Sequence, residues 1–124
     1  MRQSQMRCLK INDKRVALIL SGNKTWEIRR TNTKIRERIA LGNTKTMCYV
    51  GYATLIDSIE MTTEELKKHN DKHQANDFIE KYAKGRKGQK ERKTLFAWGL
   101  EDIEVKAKPK PYPPSTGAWS KTKI

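Results

Sequence analysis

At 124 residues the chain has room for one domain with a modest core and little room for a second. Hydrophobic residues make up 35% and charged residues 33%, yet three Trp, four Tyr and regular apolar runs exclude a disordered chain. No apolar run approaches the roughly 20 residues of a membrane helix, and no apolar segment follows the basic start as in a secretory signal, so a cytoplasmic protein without membrane attachment is expected.

The 27 Lys and Arg against 14 Asp and Glu leave a net charge of +13, which favours a polyanionic partner: nucleic acid before an acidic protein or a lipid surface. The charge is bipolar along the chain: +9 over residues 1–45, −4 over 46–80 and +8 over 81–124. Strands from the two ends placed side by side would make one basic surface, with the acidic middle facing elsewhere. Cys8 and Cys48, without an export signal, are expected as reduced thiols used in packing.

In chain order, Met6 to Ile11 alternates apolar and polar residues and predicts a half-buried strand. Asn12 caps a short helix whose stripe is Val16, Ala17, Ile19 and Leu20, and Gly22 suits the left-handed position that ends it. Lys24 to Arg30 predicts a second strand, with Trp26 and Ile28 on a core face and Thr25, Glu27 and Arg29 on an exposed one. A polar turn at Thr31 to Thr33 leads into Ile35 to Leu41. Thr46 to Ile59 then predicts one long strand bent at Gly51.

Thr62 or Thr63 caps a helix through Lys67. A further helix over Asn76 to Lys84 is expected to bury Phe78, Ile79 and Tyr82. The run from Lys81 to Lys93 reads as a mobile, glycine-containing basic arm for phosphate, in which Arg86, Lys87 and Lys90 are the candidate contacts. Leu95 to Leu100 predicts a strand, Lys106 to Pro114 a proline-rich connection, and Ala118-Trp119 the start of a last strand.

The chemistry concentrates between Ser21 and Arg30. Glu27 and Arg29 stand roughly 6 to 7 Å apart along one strand face, within reach of a single nucleotide. Arg29, Lys24 and Arg30 can hold phosphate or a carbonyl edge, Glu27 can accept from a base amino group, and Gly22 permits close backbone approach. In an enzyme, Lys24 with a depressed pKa would be the base, or Glu27 an acid or base. His69 and His73, with Asp71 or Asp77 nearby, loosely resemble a metal pair but lack a third ligand, so no metal and no other cofactor is expected. Tyr49, Tyr52, Trp98 and Trp119 read first as core, although Tyr52 or Trp98 near a cleft could stack a base.

The stretch Leu18 to Arg30 resembles the Gly-x-Lys-x-x-Glu-x-Arg signature of the ASCH family, matched at Gly22, Lys24, Glu27 and Arg29. Leu95-Phe96-Ala97-Trp98-Gly99-Leu100, Lys108-Pro109-Lys110-Pro111-Tyr112 and Gly117-Ala118-Trp119 resemble later segments of small ASCH proteins in the same order. The resemblance spans about residues 6–120 and is weakest over 61–93. It implies a mixed α/β (α+β) fold, a PUA-like barrel of five or six strands with short peripheral helices, occupying residues 1–124 as one domain.

It also implies binding of single-stranded RNA or a modified nucleotide in a cleft lined by the signature. Members similar to it include RNA-binding regulators, single-strand ribonucleases and an N4-acetylcytidine amidohydrolase branch that uses a lysine, a threonine and a glutamate. Lys24 matches that lysine, but Glu27 stands where the threonine would be. The expected function is therefore nucleic-acid recognition, with hydrolysis of RNA or nucleosides through Lys24 and Glu27 as the alternative and a protein-interaction module as a further one.

Overall fold

The computed structural model describes residues 5–123. Six strands, β1 (Gln5–Ile11), β2 (Trp26–Arg29), β3 (Arg38–Asn43), β4 (Cys48–Thr62), β5 (Thr94–Pro111) and β6 (Trp119–Lys123), form one sheet in the order β2-β5-β4-β3-β1-β6. The β1–β3 pair is parallel and the others are antiparallel. The sheet curls into a half-barrel, which brings strands from opposite ends of this order into contact. Trp98 of β5 stacks on Trp119 of β6, with ring centroids 5.9 Å apart, and Arg29 of edge strand β2 donates to the Lys10 carbonyl of β1 at 2.9 Å.

Alternation along each strand divides the apolar residues between the two faces. Leu9, Ile11, Ile39, Leu41, Ala53, Leu55, Trp98 and Leu100 fill the concave side. Helix α1 (Asp13–Leu20) plugs it with Val16 and Ile19. The Asn12 side chain accepts from the Lys14 N–H at 3.0 Å, as a helix cap does. Gly22, at φ 85°, turns the chain back, and the Leu18 and Ile19 carbonyls accept from the amides of residues 22–24. The expected short helix, its cap and its stop are all present.

On the other face of β2 and β5, Ile28, Leu95 and Ala97 are covered by Leu66, Ala75 and Ile79. These belong to a helical segment of α2 (Thr63–Lys67), α3 (Asn70–His73), a 3₁₀ turn (Asn76–Phe78) and α4 (Ile79–Lys84), in which α2 supplies Leu66, α4 supplies Ile79, and Ala75 lies between α3 and the turn. Thr62 caps α2 by accepting from the Glu65 N–H at 3.1 Å. Cys8, Ala40, Tyr49 and Tyr112 form a third cluster. Both thiols are free, and burial pushes the Cys8 thiol up to about 12.

Several expectations need correction. The strand starting at Thr94 does not end at Leu100 but runs to Pro111, so most of the proline-rich connection is strand. Beyond Gly99 that strand has lost its β2 neighbour, and an edge tolerates prolines because no ladder bond is lost there. The helix expected over 76–84 is split by the 3₁₀ turn. It buries Ile79 fully, but leaves Tyr82 half-buried and Phe78 40% exposed. The long β4 strand does shift register beside Gly51, as expected.

Candidate functional site

Strand β2 carries Glu27 opposite Trp98, so Glu27 and Arg29 share the face that looks into the mouth of the half-barrel, while Trp26 and Ile28 pack under the helices. The exposed face expected for Glu27 is closed: only 2% of Glu27 and 1% of Lys24 reaches solvent. One Glu27 oxygen accepts from Arg29 Nη2 at 2.8 Å and Nε at 3.1 Å. The other faces Lys24 Nζ at 3.5 Å. Lys24 Nζ also donates to the His73 carbonyl, and the Arg29 guanidinium lies 5.7 Å from the Trp98 ring centre.

These contacts set the protonation states. Burial alone would push the Glu27 carboxyl up, but Arg29 and Lys24, and more weakly Arg15, hold it below the usual carboxylate range. Burial lowers the Lys24 ammonium from its ordinary value and Arg15 and Arg29 lower it further, against the raising effect of Glu27. One carboxylate thus serves three cations, and the cluster carries excess positive charge into the barrel mouth.

Arg15 links this cluster to open space. Its guanidinium lies 4.5 Å from the Tyr82 ring centre and 5.0 Å from that of Phe78. The three side chains belong to a cleft of about 1120 Å³ between α1, the end of β2, α4 and the basic loop. Lys14, Arg15, Arg30, Lys81 and Arg86 line it against a single acid, Asp13, which is engaged with Asn43 at 2.7 Å. Two cleft residues hold buried polar atoms without a partner among the described residues, Tyr82 Oη and Arg30 Nε. Such atoms normally find one.

A family model described as the ASCH domain matches residues 9–109. The chain belongs to the ASCH domain family. The ASCH fold is matched by a crystal structure of ASCH from Zymomonas mobilis at 18% identity and TM-score 0.71, covering 95% of this chain and 86% of that one. Two mutant forms of the same Zymomonas mobilis protein match at TM-score 0.72 with 17% and 18% identity, covering 95% of this chain and 87% and 88% of theirs. No curated protein gives a significant sequence match.

Within this ASCH domain the residues singled out from sequence fall into three places. Lys24, Glu27 and Arg29 form the buried cluster and Gly22 lies exposed at the end of α1 with open space where a Cβ would stand, and none of these four lines the cleft. Arg30 and Arg86 line the cleft, whereas Lys87 and Lys90 are exposed on the loop outside it. The loop itself is tied down. Arg30 donates to the Gln89 side chain and to the Lys90 carbonyl at 3.0 Å, and the Arg92 N–H to the Ala83 carbonyl at 2.8 Å.

His73 cannot serve a metal, because its Nε2 contacts the Leu66 carbonyl at 2.5 Å and its Nδ1 accepts from the Ala75 N–H at 2.9 Å. It is a neutral core imidazole, held below its ordinary value chiefly by burial. His69 packs against Trp26, with ring centroids 5.3 Å apart. Trp98 is core, donating its indole N–H to the Thr31 carbonyl at 3.0 Å.

Sequence reasoning missed Arg15 as a cleft residue and placed Phe78 and Tyr82 in the core, while Lys81 was read only as the start of the basic run. Phe78 and Tyr82 are four apart, as are Lys81 and Gly85, and that spacing alone signalled a helix face without saying which face was covered.

Proposed function

We propose that this ASCH domain binds single-stranded nucleic acid, RNA by preference, with unpaired bases in the cleft between α1, α4 and the basic loop. The observation that carries this reading is the cleft lining, in which an aromatic pair, Phe78 and Tyr82, stands among five cations. Aromatic faces accept unpaired bases and cations track phosphates, which is how single strands are held without base pairing. The volume, above the roughly 300–1,000 Å³ range of small-ligand pockets, has space for more than one nucleotide. In this reading Lys24, Glu27 and Arg29 set the charge of the cleft floor from below.

One observation favours a hydrolytic second reading. Lys24 is a buried lysine beside a carboxylate, and burial lowers its pKa from the ordinary value, the direction a general base needs. Its ammonium is engaged by Glu27 and the His73 carbonyl, so turnover in a ribonuclease or nucleoside amidohydrolase requires that contact to open.

Titrating the protein into labelled single-stranded RNA and duplex DNA at two salt concentrations, by anisotropy and then on a denaturing gel, tests both readings. Tighter, salt-dependent binding of intact single strands is expected. Equal affinity for the duplex would contradict single-strand recognition. Shortened RNA with wild type but not with Lys24→Met would move hydrolysis to first place. No binding to either polymer would leave the basic surface as a protein-interaction module.

A further inference from the structure

The lower half of β5 and strand β6 form a second basic surface that the cleft does not include. From Val105 to the end of the chain there are five lysines and no acidic residue. Lys110 stands opposite Tyr49 in the β4–β5 ladder, and Lys106 Nζ lies 5.5 Å from the Tyr49 ring centre. Lys110 and Lys121 line a groove of about 360 Å³ together with Gln5, Tyr49 and Pro113. Lys106, Lys110 and Lys121 form no ion pair among the described residues. A cationic groove with no acidic residue on its wall fits a phosphate backbone.

The groove and the cleft share one segment. Pro113 borders the groove and Gly117 borders the cleft. Four residues of chain span at most about 14 Å, which is about four nucleotides of a stacked strand. The two surfaces are thus close enough for one strand to touch both.

We propose that the groove at Lys110 and Lys121 is an exit path that holds the backbone of the same single strand after it leaves the cleft past Gly117. This rests on the cleft being the site of base binding. It adds that affinity grows with strand length, through phosphate contacts that carry no base preference.

The test compares labelled oligouridylates about four and about twelve nucleotides long, binding to wild type and to Lys110→Gln/Lys121→Gln. Both lysines are exposed, so the double variant keeps the fold, which its thermal melt checks. The longer strand is expected to bind wild type more tightly. The double variant should lose about tenfold for that strand and nothing for the short one, and its salt slope should fall by about 1.4, the value for two phosphates of a single strand. A length advantage that survives in the double variant, or no length advantage in wild type, overturns the exit path while leaving the cleft reading intact. Failure of the short strand to bind wild type overturns both.

Discussion

Glu27 is the single carboxylate among Lys24, Arg29 and Arg15, and only 2% of it reaches solvent, so its charge is not replaceable by water. Glu27→Gln leaves the buried Lys24 without compensation, and a loss of about 3–5 kcal/mol is expected in chemical denaturation, as for one partner removed from a buried pair. A loss under about 1 kcal/mol would show that the cluster is hydrated.

Acid should act on the same region in two steps. His73 is held neutral, so the unfolded chain takes up the imidazole proton first and stability falls as pH drops below about 6.5. Glu27 is held below its ordinary value, so its stabilisation is present above about pH 4.5 and disappears as pH falls through the lower folded-state value. Denaturation midpoints should therefore decline as pH falls from about 6.5 to 4, and a flat profile from about pH 6.5 to 5 would contradict the buried, neutral His73.

The Gly-x-Lys-x-x-Glu-x-Arg spacing made these residues legible. Their burial was not, because alternation tells which side chains share a face and leaves open what covers that face. Here part of the cover is α3, whose His73 carbonyl accepts from Lys24, while Arg15 of α1 acts on Glu27 only through its charge.

Helix α1 and strand β4 show what local pattern can and cannot settle. The Asn12 cap and the Gly22 stop are local features and act as their residue types require; of the expected stripe Val16 and Ile19 are buried, Leu20 is half-buried and Ala17 is exposed. Gly51 was readable as a bend for a related reason, and the structure explains why nothing larger fits. A Cβ there would stand 2.5 Å from the Glu104 carbonyl oxygen and 2.5 Å from Leu20 Cδ2. Gly51→Ala is expected to cost about 1–3 kcal/mol in thermal or chemical unfolding, through displacement of β5 or α1, and a neutral effect would mean that the ladder shifts freely there.

The strand through Pro109 and Pro111 was not readable, because proline excludes helix and central strand alike. Only the tertiary loss of the β2 neighbour makes this stretch a permissible edge. The basic loop teaches the same lesson: its composition suggests a free arm, but Arg30 and Arg92 anchor it against the end of β2.

At the scale of the molecule, the bipolar charge becomes spatial. The N-terminal basic third supplies Lys14, Arg15 and Arg30 to the cleft and the C-terminal third supplies Lys81 and Arg86. The middle segment supplies Gln74 and Phe78 to the cleft but none of its acids; Glu60 is bonded to Thr94 at 3.0 Å and Glu80 to Lys67 at 3.0 Å. Composition suggested that the basic ends meet, and the family resemblance suggested a barrel of five or six strands; the sheet has six and curls into a half-barrel. Neither could assign the cleft wall, which depends on how α4 lies against α1.

Phe78 offers the sharpest test of that wall. It is a large apolar side chain, 40% exposed, whose aromatic contacts are with Tyr82 and Arg15, both in the cleft. Its removal should spare the fold and remove a stacking surface. The decisive measurement is the affinity of Phe78→Ala for labelled single-stranded RNA, against wild type at one fixed salt concentration. A loss of about 1–3 kcal/mol with an unchanged thermal midpoint is predicted, the range for one stacked base. Affinity within about twofold of wild type would mean that bases do not stack in this cleft.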